Sequence, residues 1–129
     1  MPSGEYFLSE NRTEWEQAYA KNLNQVFKFN EKSPENFIDD IKLKYLRDYL
    51  PKSGIILEVG AGSGRLITRI GLENKKYQVI GLDYVKDSTK IIKNNLINFN
   101  LNGTSICADI YHLPFKNNSV DVIVSGGLL

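Results

Sequence analysis

Glu58-Val59-Gly60-Ala61-Gly62-Ser63-Gly64-Arg65 is the stretch on which the reading of this chain turns. Just before it, Ile55-Ile56-Leu57-Glu58-Val59 is a short apolar run, read as a strand buried on both faces, as in a parallel sheet. Just after it, Leu66, Ile67 and Ile70 are spaced for a helix packed on that sheet. A glycine-rich loop that closes a strand and opens a helix is suited to a ligand. Its glycines reach positive φ and let the main chain approach without a Cβ in the way. The unpaired N–H groups of the helix start face the same space.

Working outward, Gln78 to Asp83 reads as a second strand, and Val85, Ile92, Leu96 and Phe99 mark the helix that follows. Asn102-Gly103 is a turn, Thr104 to Cys107 a third strand, Asn117-Asn118-Ser119 a turn, and Val120 to Val124 a fourth strand. Strands alternating with helices imply an α/β fold with a parallel sheet. Upstream, Trp15, Tyr19, Leu23 and Val26 recur at helical spacing. Ser33-Pro34 starts a second helix, striped by Ile38, Ile41 and Tyr45 and ended by Pro51. We read 1–52 as an N-terminal helical segment that caps the domain, with Trp15 and Tyr19 more readily core than lid, and 53–129 as the sheet unit.

The composition is that of an ordinary globular domain of 129 residues with a formal charge of +1, which gives no basic footprint for nucleic acid and no membrane-surface patch. No apolar run approaches the roughly 20 residues of a membrane span, and the opening MPSGEYFLSENR does not read as a secretory signal. A cytoplasmic location is the corresponding expectation. The single cysteine, Cys107, lies in an apolar run and reads as a buried small hydrophobe. No His/Cys spacing argues a metal site, and no Ser/His/Asp constellation argues hydrolysis. The one histidine, His112, reads as a surface or packing residue.

The loop itself admits three readings. It can be a glycine-rich turn with no ligand. It can be a dinucleotide loop, G-x-G-x-x-G, but here the third glycine comes one residue early and Arg65 stands where that pattern needs it. Thirdly, it resembles the first motif of the class I, Rossmann-like S-adenosylmethionine-dependent methyltransferases, acidic-x-Gly-x-Gly-x-Gly, which Glu58, Gly60, Gly62 and Gly64 match at every position. The ligand chemistry fits that resemblance. A dinucleotide presents a pyrophosphate, whereas S-adenosylmethionine carries an ammonium and a sulfonium, which an acidic neighbour suits better. The segment Ala108-Asp109-Ile110-Tyr111-His112-Leu113-Pro114-Phe115 is similar to the A-D-x-x-x-L-P-F stretch of methyltransferase type 11 proteins.

The resemblance implies a set of cofactor-binding residues. Glu58, with Gly60, Ala61, Gly62 and Gly64, organises the methionine end. Asp83, about 20 residues beyond the loop, holds the ribose, and Tyr84 lies against the adenine. Asp109 accepts from the adenine amino group and the Ile110 N–H meets a ring nitrogen. Main-chain carbonyls near Ser125, Gly126 and Gly127 face the ammonium. For Asp83 and Asp109 the competing reading is a capping aspartate. Leu113, Pro114 and Phe115 read as packing and Asp121 as structural. The family also implies methyl transfer by in-line positioning, with no assigned base, to an acceptor that the sequence does not identify; the A-D-x-x-x-L-P-F type leans toward small molecules. A cofactor-binding fragment without turnover and, further off, an NAD-dependent oxidoreductase are the rivals. About seven strands are usual in this family; the four here, in the order 3-2-1-4, lead us to expect a chain cut after the fourth strand. That strand is then an apolar sheet edge open to self-association.

Overall fold

A computed structural model describes residues 4–126, with side chains from Thr13 onward. The element order is α1 (Gly4–Lys21), α2 (Pro34–Leu46), β1 (Gly54–Val59), α3 (Arg65–Glu73), β2 (Tyr77–Asp83), α4 (Lys86–Asn98), β3 (Gly103–Cys107) and β4 (Val122–Val124). Short 3-10 turns cover Arg47–Tyr49 and Ile110–His112. The four strands form one parallel sheet in the order β3-β2-β1-β4. Each β-α-β connection returns the chain to the same end, so every strand delivers its carboxyl terminus to one rim. Register aligns Glu58 with Gly81 of β2 and Val124 of β4, and Asp83 with Cys107 of β3.

One face of the sheet packs against the helices. Ile56, Val79 and Val124 meet Leu66, Ile67, Ile70, Ile92 and Leu96, and Leu43 of α2 is fully buried in the same core. The other face carries Leu57, Val59, Ile80 and Leu82, covered by Ile106, Ala108, Ile110, Phe115 and Val120. β1 is apolar on both faces because it is buried on both, as a central parallel strand requires. Ser33 caps α2, its hydroxyl accepting from the Asn36 N–H at 3.1 Å, with Pro34 at the first helical position. Asp121 is structural: its carboxylate accepts from the Ile55 N–H at 2.7 Å and fills the space that any side chain at Gly54 would enter.

The N-terminal stripes differ from expectation. Trp15 is half-exposed rather than core, α1 ends at Lys21, and Val26 lies outside it with its side chain in solvent, while Phe27 is buried instead. On α2 the face turned to α3 is Asn36, Asp39 and Leu43, so Ile38, Ile41 and Tyr45 point outward. The reason is an electrostatic clamp. Arg65 donates to Asp39 Oδ2 at 3.0 Å and Asn36 Oδ1 at 2.5 Å, and its guanidinium lies 5.2 Å and 5.5 Å from the Phe27 and Phe29 ring centres. Paired in this way, polar residues tolerate burial, and the helix rolls its apolar stripe away. Cys107 is also exposed, at the end of an edge strand of the sheet. Leu113 and Pro114 are exposed too, and only Phe115 of that trio packs on the core. β4 is the other sheet edge, with Ile123 56% exposed. Among the described residues no helix is long and apolar enough to cross a membrane.

Candidate functional site

The glycine loop lies where β1 hands over to α3. Gly60, Gly62 and Gly64 all have positive φ, at 64°, 61° and 84°. At Gly64 no other residue fits, since a Cβ there would stand 2.7 Å from Cγ1 of buried Ile92. The loop is pinned on both sides: the Ala61 N–H donates to Leu82 O at 2.9 Å and the Gly64 N–H to Ala61 O at 2.9 Å. The buried Ser88 hydroxyl donates to Gly62 O. Ser88 has no signal in the sequence beyond being a small polar residue on a buried helix face.

Asp83 ends β2 and is buried. Its Oδ2 accepts from the Gly62 N–H at 2.9 Å and its Oδ1 from the Val85 N–H at 3.0 Å. Both bonds belong to the competing role of a loop-fixing aspartate. A carboxylate offers about four acceptor positions, so that role leaves room for hydroxyl donors. Burial pushes the Asp83 carboxyl above its ordinary range, and the Val85 and Gly62 N–H groups pull it back. Tyr84 follows, partly buried.

Glu58 is 3% exposed at the base of the loop. Its Oε1 accepts from the Ile67 N–H in the first turn of α3 at 3.1 Å, a favourable place for a negative charge. Burial nevertheless pushes its carboxyl up to about 8. β4 pairs with β1 and brings Ser125 and Gly126 alongside, and a Cβ on Gly126 would stand 3.1 Å from Glu58 Oε2. Gly127 lies outside the described residues.

The end of β3 is built differently. The Ala108 N–H donates to Asp83 O at 3.0 Å, which ties the two strand ends together. Asp109 itself is exposed; it caps the Ile110–His112 turn, accepting from the Tyr111 N–H at 3.0 Å. That N–H, with the nearby His112, holds the Asp109 carboxyl below its usual range. His112 lies on the surface with Nδ1 3.4 Å from Asp109 Oδ2. Ile110 is half-buried against the second core face. So Glu58, the glycines, Asp83, Tyr84, Ser125 and Gly126 are gathered at one rim, and Asp109 stands beside it facing solvent.

A residue from α1 joins them. The Tyr19 hydroxyl lies against Gly62, 3.0 Å from where a Cβ would stand. Burial, with the charge of Asp83 next, pushes its hydroxyl up to about 12. Trp15 stacks on Tyr19 with ring centres 5.7 Å apart and planes 17° off parallel. Tyr19 thus lies against the loop, and Trp15, half-exposed, contacts its ring.

Comparison with known proteins adds a family. Residues 56–129 match the methyltransferase domain family. The chain belongs to that family. It is also 30% identical over 97 residues to an uncharacterized chloroplastic methyltransferase of Arabidopsis thaliana, an alignment covering 70% of this chain and 28% of the plant protein. Among solved structures, coclaurine N-methyltransferase bound to N-methylheliamine and S-adenosylhomocysteine aligns with a TM-score of 0.65 at 18% identity, over 97% of this chain and 43% of that one. A candidate S-adenosylmethionine-dependent methyltransferase of Methanococcus maripaludis aligns at 0.63 and 20% identity, over 91% of this chain and 50% of that one. At those identities the structures speak for the Rossmann-like fold. The chain spans half or less of the length of each of these relatives.

Proposed function

We propose that this methyltransferase domain binds S-adenosylmethionine at the strand rim and serves methyl transfer to a small-molecule acceptor. The observation that carries the reading is the pair of buried carboxylates, Glu58 and Asp83, set on either side of a glycine loop with no Cβ to obstruct it. The residues fit the cofactor on chemical grounds. Glu58 is a buried acid whose charged form lacks a full counter-charge, so a ligand ammonium is stabilised there. Asp83 keeps acceptor capacity for two ribose hydroxyls. Gly60, Ala61, Gly62 and Gly64 leave the main chain open to the methionine part, and Ser125, just beyond β4, is assigned to it as well. Tyr84, Asp109 and Ile110 are assigned to the adenine. When bound, the cofactor supplies a methyl group on a sulfonium, an electrophile that needs no metal. The chain's own residues bind and orient it, the step in which positioning is decisive.

The Trp15–Tyr19 pair is assigned as a lid over the loop. Trp15 is the single tryptophan, so its fluorescence reports on closure. The small-molecule preference leans on the coclaurine enzyme, whose bound N-methylheliamine is of that kind, and on the A-D-x-x-x-L-P-F stretch. Self-association through the β4 edge belongs to the same proposal, since an exposed apolar edge invites pairing. Size-exclusion chromatography at rising concentration checks it: Ile123→Lys converts the associated form to monomer, and a wild-type monomer at every concentration rejects it.

The primary test is calorimetric titration of the chain with S-adenosylhomocysteine, then with NAD in competition. Saturable one-site binding that NAD does not displace supports the reading. NAD displacement, or no binding by folded protein, overturns it. A parallel methyl-transfer assay separates an active domain from the second reading, cofactor binding without turnover.

A further inference from the structure

Glu58 has a cationic neighbour that no motif points to. Lys42 sits on α2 next to fully buried Leu43, so its backbone is fixed against the core. Its ammonium reaches the rim from below: a Cβ on Gly126 would stand 3.6 Å from Lys42 Nζ and 3.1 Å from Glu58 Oε2. The two groups therefore converge on the same glycine backbone, which the sequence leaves without a side chain to separate them. The clamp between Arg65 and Asp39 and Asn36 ties α2 to the start of α3, which keeps Lys42 in place.

We propose that Lys42 is a positioning residue of the cofactor site, its ammonium beside Gly126 favouring the charge that Glu58 takes on when it receives the cofactor's ammonium. This rests on the cofactor reading above. Four groups face Glu58: Lys42 and Asp39 from α2, the Ile67 N–H from α3, and the Gly126 N–H from the end of β4. Asp39 is held by Arg65 at 2.9 Å. Burial opposes ionisation of Glu58, whereas the Ile67 N–H, Lys42 and the Gly126 N–H favour it. The balance leaves Glu58 titrating near 8. A cation arriving on its outer side draws off the remaining proton, so affinity rises with pH through that region. Removing Lys42 shifts the rise to higher pH.

The test is S-adenosylhomocysteine affinity of the full chain across pH for wild type, Lys42→Met and Lys42→Arg, with the Glu58 carboxyl carbon followed by NMR without ligand. The expected result is a higher Glu58 midpoint in Lys42→Met, with affinity near neutral pH lowered up to about tenfold for a midpoint shift of about one unit. Lys42→Arg restores both. A Lys42→Met profile that matches wild type overturns the proposal and leaves the cofactor reading intact. Wild type that binds no ligand overturns the cofactor reading itself, and the proposal with it. If Lys42→Met fails to fold, Lys42→Gln takes its place.

Discussion

The carboxyl ends of β2 and β3 each present an aspartate to the same rim, yet Asp83 is buried under two main-chain N–H groups and Asp109 stands in water as the cap of a short turn. This domain concentrates its order at the inner of the two strand ends. A buried carboxylate costs desolvation and persists only with partners in place, so Asp83 fixes the glycine loop while being fixed by it. Asp109 has only local partners, the Tyr111 N–H and His112, and costs little. On the proposed reading, the inner end is preorganised for the cofactor and the outer end is a flank that the cofactor has to recruit.

The largest expected effect tests the rigidity of the inner end. Gly64→Val forces a β-branched residue into positive φ and against Ile92. It should destabilise the fold by about 2–5 kcal/mol in urea denaturation, and a near-neutral result would break the contrast. Next comes pH. Glu58 ionises at 4.5 in a free chain and near 8 when folded. Between those values the folded protein keeps a proton that the unfolded chain has released. This contribution is fully present below 4.5 and is lost as pH rises through 8, by on the order of 5 kcal/mol. Thermal denaturation across pH should show that slope in wild type and its loss in Glu58→Gln. A slope unchanged by the substitution would remove Glu58 as its source.

Third, Asp83→Ala should weaken S-adenosylhomocysteine binding by about 1.5–3 kcal/mol, roughly 10- to 150-fold. Unchanged affinity in a folded variant would reduce Asp83 to a structural aspartate. The smallest effect belongs to the outer end. Asp109→Ala removes an exposed cap and should lower the urea midpoint only slightly. Its affinity loss, measured by the same calorimetry, should be below that of Asp83→Ala; an equal loss would erase the distinction between the two ends.

The sheet and its loop were readable because their signals are local. Apolar runs bounded by glycine and asparagine turns set β1 and β2 to within a residue or so, and the spacing of Gly60, Gly62 and Gly64 marked the strand-to-helix handover. β4 is shorter than its apolar run, since Asp121 turns to cap the start of β1. What could not be read depends on partners distant in sequence. Arg65 reaches back to Asn36 and Asp39, and Asn95 of α4 accepts from the Phe27 N–H at 2.9 Å. Those contacts decide which face of α2 is buried, and helical periodicity alone cannot, because Ile38, Ile41 and Tyr45 make as regular a stripe as the face that packs. Tyr19 was visible as a periodic aromatic, but its place over Gly62 depends on where α1 lands.

The central claim is that Gly62, Asp83 and the Glu58–Gly126 corner form one cradle for a cationic nucleoside. Amide chemical shifts of the isotopically labelled chain, followed during titration with S-adenosylhomocysteine, test it directly. The account predicts that the largest saturable shifts fall on Ala61, Gly62, Tyr84 and Gly126. Shifts confined to other parts of the chain, or none at saturating ligand, would contradict it.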